Sequence, residues 1–93
     1  MTVEIITPER LLFVGEVKAI QLPGKDGLFQ LLDNHAPLIA SLGKGSIKMD
    51  LAKAFERTDS SSNKLISEGQ SLKVDISGGV VEVSGNKAIV LVS

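Results

Sequence analysis

Residues 72–92 read LKVDISGGVVEVSGNKAIVLV, and this stretch decides the fold class. Leu72, Val74 and Ile76 alternate with polar residues, and Val81 and Val83 continue the same two-residue period. Alternation of this kind places one face of a β-strand against a core and the other face toward solvent. The stretch therefore predicts half-buried β-strands.

The end of the stretch predicts a tight hairpin. Its strands over 79–84 and 87–92 are separated by Gly85-Asn86, a residue pair that suits a two-residue turn. Just before it, Gly78-Gly79 has two interpretations. It is either a turn or bulge that needs positive φ, or a place where the backbone of a partner comes close. The first interpretation needs no partner and is the simpler one.

Outward from this stretch, turn signals recur at short intervals along the rest of the chain. Short strands punctuated in this way are typical of a β-sandwich or barrel. Ninety-three residues suit one domain, which we place at 1–93. The turn signals are Thr7-Pro8, Gly15, Pro23-Gly24, Asp33-Asn34, Gly43, Gly45 and Gly69.

One segment departs from the strand rhythm. Residues 51–57, LAKAFER, are rich in good helix formers. They predict either a short helix or the end of a strand that begins near Ser46. The polar residues 58–63, TDSSSN, predict a loop.

Composition excludes several classes of protein. The chain has no cysteine, so disulfides, thiolate zinc sites and a cysteine nucleophile are excluded. The formal net charge is −1 and only 3% of residues are aromatic, which argues against nucleic-acid binding. No apolar run approaches the roughly 20 residues that a membrane-spanning helix needs. The missing cysteines also favour an intracellular location.

The residues that carry enzyme chemistry are sparse. His35 is the single histidine, and it precedes Ala36-Pro37. It is either a contact or proton-responsive residue, or a turn residue whose ring nitrogens hold the backbone. The segment Gly24-Lys25-Asp26-Gly27 lacks the ending of a phosphate-binding loop and predicts a hairpin loop. We therefore expect no catalytic residue, no metal and no cofactor.

Two alternative functions remain open at this point. Lys48-Met49 resembles the modified lysine of biotinyl or lipoyl carrier domains, which stands at a hairpin tip. However, Lys48 lies within an alternating stretch, where a solvent-facing strand lysine is the ordinary interpretation. The other alternative is a free-standing β-sandwich binding module, for example for carbohydrate. Such modules present aromatic rings, and this chain has only Phe13, Phe29 and Phe55.

Three blocks of sequence resemble the N-terminal domain of F-type ATP synthase epsilon subunits. The first, 7–17 (TPERLLFVGEV), is similar to the Thr-Pro-Glu and Phe-x-Gly-Glu opening of that family. The second runs from Leu22-Pro23-Gly24 to the tetrapeptide His35-Ala36-Pro37-Leu38, which is the most specific element. The third, 76–83 (ISGGVVEV), is similar to the family's Gly-Gly-Phe-x-Glu-Val. The three blocks follow the order and spacing of the family. Together they cover nearly the whole chain.

This resemblance implies an all-β fold and a mechanical role. The implied fold is a flattened sandwich of two antiparallel five-stranded sheets, about ten short strands in all. The implied function is that of a non-catalytic rotor subunit in the central stalk, which couples proton translocation to ATP synthesis. Its partners would be the gamma subunit and the polar loops of the c-ring, and indirectly the alpha and beta subunits. The subunit would lie peripherally on the cytoplasmic face of a bacterial inner membrane. The chain resembles a short form, without the helical hairpin that follows the sandwich in typical members.

The resemblance also assigns contact residues. Those implied to face the c-ring are Lys25, Asp26, Gly27, Leu28 and His35. Those implied to face gamma are Thr7, Pro8, Ala36, Pro37, Leu38 and Ala40. Ordinary turn formation and core packing are the alternative explanation for these residues, above all for Pro37 and Leu38. Leu28 stands where an acidic residue is frequent in the family.

Overall fold

A computed structural model describes residues 1–51, 65–68 and 71–93, and for 65–68 it describes the backbone alone. Every regular element within these ranges is a β-strand. The all-β fold class predicted from the sequence is therefore confirmed. The strands are β1 (Thr2–Ile6), β2 (Leu11–Gly24), β3 (Gly27–Leu32), β4 (Leu38–Leu42), β5 (Gly45–Leu51), β6 (Leu65–Glu68), β7 (Ser71–Ile76), β8 (Gly79–Ser84) and β9 (Lys87–Val92).

The long strand β2 belongs to both layers of the sandwich. Its first half pairs with β1, and its second half pairs with β3 and β5. The register shifts between Val17 and Ala19, where the strand passes from one layer to the other. Sheet I is therefore β4-β8-β9-β1-β2, and sheet II is β3-β2-β5-β7-β6. Each layer has five strands. The predicted total of about ten strands corresponds to nine strands in the described residues, because β2 contributes to both layers.

One strand pair differs from the antiparallel pattern that we expected. β1 runs parallel to β9, with Val3 opposite Ala88 and Ile5 opposite Val90. The turn that follows β1 forces it to lie antiparallel to β2. β1 also fills the place between β2 and β9, so its direction relative to β9 follows from the paths of two distant segments. The local pattern of the sequence carries no information on such a pairing.

The predicted hairpin over 79–84 and 87–92 is confirmed residue by residue. β8 and β9 have these bounds, and Ser84 pairs with Lys87 across the turn. Gly85 has φ 58° and Asn86 has φ 56°. Positive φ at both central residues is the signature of a type I′ turn, whose twist matches that of the flanking strands.

The core consists of aliphatic side chains that point inward from both sheets. The alternation predicted for β7 and β8 is confirmed, because Leu72, Val74, Ile76, Val81 and Val83 are all buried. The same period continues in β5 and β9. Further buried core residues are Val3, Ile5, Phe13, Ile20, Leu22, Leu31, Ile47, Met49 and Val90.

The predicted short helix near 51–57 and the loop over 58–63 lie outside the described residues, apart from Leu51. Leu51 is buried and is the last residue of β5. Among the described residues, no helix has the length and apolarity to cross a membrane.

Candidate interaction surfaces

The strand pairings define two opposite ends of sheet I. Leu42 pairs with Gly79, Gly79 with Val92, and Ile6 with Leu91. These pairs lie at one end, together with the β2–β3 turn, because Gly24 pairs with Leu42. We call it the hairpin end. The other end carries residues 33–37 between β3 and β4, which we call the β3–β4 loop, and the Gly85-Asn86 turn. We call it the loop end.

The residues predicted to face the c-ring are divided between the two ends. Lys25, Asp26, Gly27 and Leu28 lie together at the hairpin end, all exposed, and Leu28 has 68% of its surface accessible. His35 lies at the loop end, on the far side of β3. Because a strand rises about 3.3 Å per residue, Gly27 and Leu32 are roughly 17 Å apart. The structure therefore does not bring His35 to the hairpin tip.

A groove of about 660 Å³ opens beside the hairpin tip, between the edges of β3 and β4. The half-buried ring of Phe29 and the side chains of Leu28 and Ile39 give it an apolar wall. A hydrogen bond joins the β2–β3 turn to β4 at the rim of this groove, because the Lys25 backbone N–H donates to the Ser41 carbonyl at 3.3 Å. Within the described residues no cluster of metal-ligating side chains occurs in this groove or elsewhere.

His35 stabilises the turn in which it lies. Its backbone N–H donates to the Leu32 carbonyl at 3.2 Å, and its Nδ1 lies 2.7 Å from the Ala36 carbonyl oxygen. A carbonyl only accepts, so Nδ1 carries the proton in this contact. This arrangement agrees with the turn-forming interpretation of His35.

The residues predicted to face gamma also separate into groups. Thr7 and Pro8 form the β1–β2 turn at the hairpin end, where Thr7 Oγ1 accepts from the Arg10 backbone N–H at 3.1 Å. Ala36 and Pro37 are exposed in the β3–β4 loop. The remaining two residues, Leu38 and Ala40, lie on β4 and are half-buried against the core. Core packing thus accounts for the position of Leu38 and Ala40.

An exposed apolar face on the outside of sheet I was not predicted from the sequence. Val80 pairs with Leu91, Leu91 with Ile6, and Ile6 with Leu11, which forms a continuous row across four strands. Val80, Leu91 and Leu11 expose 40%, 51% and 48% of their surface. The next row runs Ile39, Glu82, Ile89, Glu4 and Val14, so its two exposed apolar ends, Ile39 at 75% and Val14 at 53%, have two carboxylates between them. We call Val80, Leu91, Ile6, Leu11, Ile39 and Val14 together the apolar face.

A signal for this face was present in the sequence. Residues 88–92, AIVLV, are apolar without interruption. An uninterrupted apolar strand is apolar on both sides, which is typical of a strand covered on both faces. In sheet I the inner side faces the core, so the outer side remains available for a partner.

The centre of the outer face of sheet II is polar, although Leu28 and Leu32 are exposed on its edge strand β3. Gln30, Gln21, Lys48 and Lys73 stand in one row across β3, β2, β5 and β7. Two acidic residues on the same side, Asp50 and Asp75, are exposed. Lys48 therefore lies exposed in the middle of a strand and not at a hairpin tip.

A small charged cluster lies at the loop end. The α-amino group of Met1 contacts the carboxylates of Asp33 and Glu16, and it lies 3.3 Å from the Val17 carbonyl oxygen. Hydrogen bonding to Asp33 raises the pKa of the amino group above its usual value, although burial opposes this rise. A hydrogen bond from Thr2 and then one from the amino group lower the pKa of Glu16. The amino group likewise lowers the pKa of Asp33.

Comparison with known proteins gives one consistent family. The family profile described as the β-sandwich domain of the ATP synthase delta/epsilon chain matches residues 1–93. The ATP synthase epsilon chain of Chlorobaculum tepidum is 41% identical over 90 residues, which cover 97% of this chain and 85% of the relative. That of Chlorobium limicola is 42% identical over 88 residues, covering 95% and 83%.

Solved structures show the same fold. A chain in the central-stalk and c-ring structure of the Tetrahymena thermophila mitochondrial ATP synthase superposes with a TM-score of 0.71. The match covers 99% of this chain and 62% of that one, at 18% sequence identity. At that identity, the likeness concerns the fold alone.

Proposed function

This chain belongs to the family of ATP synthase delta/epsilon chains, as their β-sandwich domain, and we propose on that basis that it is a non-catalytic subunit of the central stalk. In this role it binds gamma and the c-ring, and it helps to couple proton translocation to ATP synthesis. The observation that supports the proposal best is the contrast between the two outer faces. One carries a row of outward-facing aliphatic side chains across four strands, and the other carries a row of amide and lysine side chains across four strands.

We assign the apolar face of sheet I to gamma. The two separated groups of predicted gamma contacts flank this face. Thr7-Pro8 follow Ile6 directly, and Ala36-Pro37 lead through Leu38 into Ile39. A cluster of aliphatic side chains with a polar rim is the usual anatomy of a protein interface. The row from Val80 to Leu11 would supply the buried centre of such an interface, and the two turns would form its rim.

We assign the hairpin tip, Lys25 to Leu28, to the polar loops of the c-ring. The tip lies at the end of the sandwich, and all four of its residues are exposed. The tip joins two strands that hydrogen-bond up to Gly24 and Gly27, so it is held on a rigid base. His35 lies too far from the tip to share this contact, and we place it instead beside the gamma-facing rim.

The interior suits a part that transmits torque. Side chains from both sheets form one aliphatic core, and close-packed interiors resist deformation. We propose that residues 1–93 act as a single rigid β-sandwich domain between two larger rotating bodies. Catalysis would then belong to other subunits of the complex, and the domain would be peripheral to the cytoplasmic face of a bacterial inner membrane.

The alternative functions are not favoured. A carrier domain needs its lysine at an accessible hairpin tip, and Lys48 lies within β5. A carbohydrate-binding module needs exposed aromatic rings. Of the two phenylalanines in the described residues, Phe13 is buried and Phe29 is half-buried.

A pair of variants with the same charge change on opposite faces tests the proposal. Leu91→Lys places a cation in the centre of the apolar face, whereas Gln30→Lys places one on the outer face of sheet II. We expect Leu91→Lys to weaken gamma binding at least tenfold, roughly the effect of losing a central anchor. Gln30→Lys should bind like the wild type. Circular dichroism checks that both variants are folded. Equal binding by both variants would remove the assignment of this face, and failure of the wild type to bind gamma would remove the proposed function.

A further inference from the structure

Asn86 makes a long-range contact in addition to closing the β8–β9 hairpin. Its Oδ1 accepts a hydrogen bond from the backbone N–H of Asn34 at 2.7 Å, across 52 residues of sequence. The donor is a backbone N–H, so the side-chain atom that faces it must be the carbonyl oxygen. The contact joins the hairpin turn to the β3–β4 loop.

Asn34 turns the chain in the middle of the β3–β4 loop. It has φ 61°, in the left-handed region that Asn tolerates better than most other non-glycine residues. Within the described residues, the hydrogen bonds of the adjacent His35 are local and go to Leu32 and Ala36. Asp33 is held from the other side by the α-amino group of Met1. Asn86 therefore supplies the contact that ties the middle of the loop to a strand turn in sheet I.

The position of Asn86 matters for the gamma-facing rim. The loop that it holds carries Ala36 and Pro37, which form one edge of the surface assigned to gamma. A loop that is already ordered before binding does not lose conformational freedom when the partner arrives. The affinity of the rim thus depends on whether the loop is fixed in the free protein.

We propose that Asn86 is a positioning residue for gamma binding, which holds the β3–β4 loop in its binding conformation through the backbone of Asn34. This inference rests on the proposed function and adds to it a residue with no predicted contact to gamma.

The test compares two substitutions in the same turn. Asn86→Gly removes the acceptor oxygen, and glycine adopts the φ of 56° at this position without strain. Gly85→Asn is the matched control, because Asn tolerates φ 58° and a Cβ there meets nothing within 4 Å. The two measurements are the hydrogen-exchange rate of the Asn34 amide and the affinity for the gamma subunit of the same organism.

We expect Asn86→Gly to raise the exchange rate of the Asn34 amide and to leave core amides such as that of Val90 unchanged. Its affinity for gamma should fall about three- to tenfold, the effect of losing one hydrogen bond. Gly85→Asn should match the wild type in both measurements. Unchanged exchange at Asn34, or faster exchange with unchanged affinity, would overturn the role of Asn86. If wild-type protein does not bind gamma, the proposed function fails instead, and the exchange data still report on the contact.

Discussion

Gly79 and Leu91 approach so closely that a Cβ built on Gly79 would lie 2.2 Å from the Leu91 carbonyl oxygen. Gly79 also has φ 159°, and it begins β8 opposite Val92. The close approach suggested by Gly78-Gly79 is therefore made by the backbone of the chain itself. Glycine at 79 allows β8 to begin directly beside the end of β9.

Substitution of Gly79 should destabilise the sandwich. Gly79→Ala forces the β8 and β9 backbones apart, and we expect it to lower the free energy of unfolding by about 2–3 kcal/mol. Gly78→Ala is the control, because a Cβ at Gly78 would make only an ordinary contact of 3.5 Å with the Leu42 carbonyl oxygen. Urea unfolding of both variants measures the difference. Equal stability of the two would contradict the close contact.

Two adjacent valines test the alternation of β8. Val81 is fully buried, whereas Val80 is 40% exposed on the apolar face. Val81→Ala should cost about 2 kcal/mol, from the loss of two buried methyl groups and the cavity that remains. Val80→Ala should cost less than about 1 kcal/mol, since it removes little buried surface. Thermal and urea unfolding compare them, and a reversed order would mean that the register of β8 is wrong.

The charged cluster around Met1 predicts a dependence of stability on pH in both directions. Asp33 and Glu16 have lowered pKa values in the folded protein, so their stabilisation is present above the usual carboxyl range, near 3.8 and 4.5. It is lost as pH falls through the lowered values. The pKa of the α-amino group is raised, so its contribution is full below pH 8.0 and is lost as pH rises through the raised value.

Asp33→Asn checks this dependence, because it removes one carboxylate and one partner of the amino group. The urea concentration at the midpoint of unfolding is measured from pH 3 to pH 10. At the acidic and the alkaline end of this range, it should fall less steeply in the variant than in the wild type. The difference should be small, since both carboxylates are more than half exposed. Parallel curves for the two proteins would show that the cluster does not contribute to stability.

We expect substitutions at the hairpin tip to leave the fold intact, because its residues are exposed. Lys25→Glu reverses an exposed charge, and Leu28→Ala truncates a side chain that is 68% exposed. We expect both to change the free energy of unfolding by less than about 0.5 kcal/mol. Both should weaken assembly with the c-ring. Lys18→Glu, an exposed position at the bend of β2, is the matched control for charge. Unchanged assembly and coupling in the two tip variants would remove the assignment of this loop.

Features set by neighbouring residues could be predicted from the sequence. The hairpin over 79–84 and 87–92 and the alternation of Leu72, Val74 and Ile76 depend on backbone preferences and a two-residue period. Both act within a few residues, and both were predicted correctly. The family was identified in the same way, because its blocks consist of contiguous residues such as 35–38.

Relationships between distant segments were decided by the tertiary structure alone. The separation of His35 from the hairpin tip follows from the path of β3, and the parallel pairing of β1 with β9 follows from the position of β1 between β2 and β9. The apolar face appears only when β8, β9, β1 and β2 lie side by side, which brings Val80 next to Leu91 and Leu91 next to Ile6. In the same way, Asn86 contacts Asn34 only because the hairpin turn and the β3–β4 loop share one end of the sandwich. The sequence determines which segments become strands, since that choice is local, but the packing of a common core determines which strand edges and turns meet.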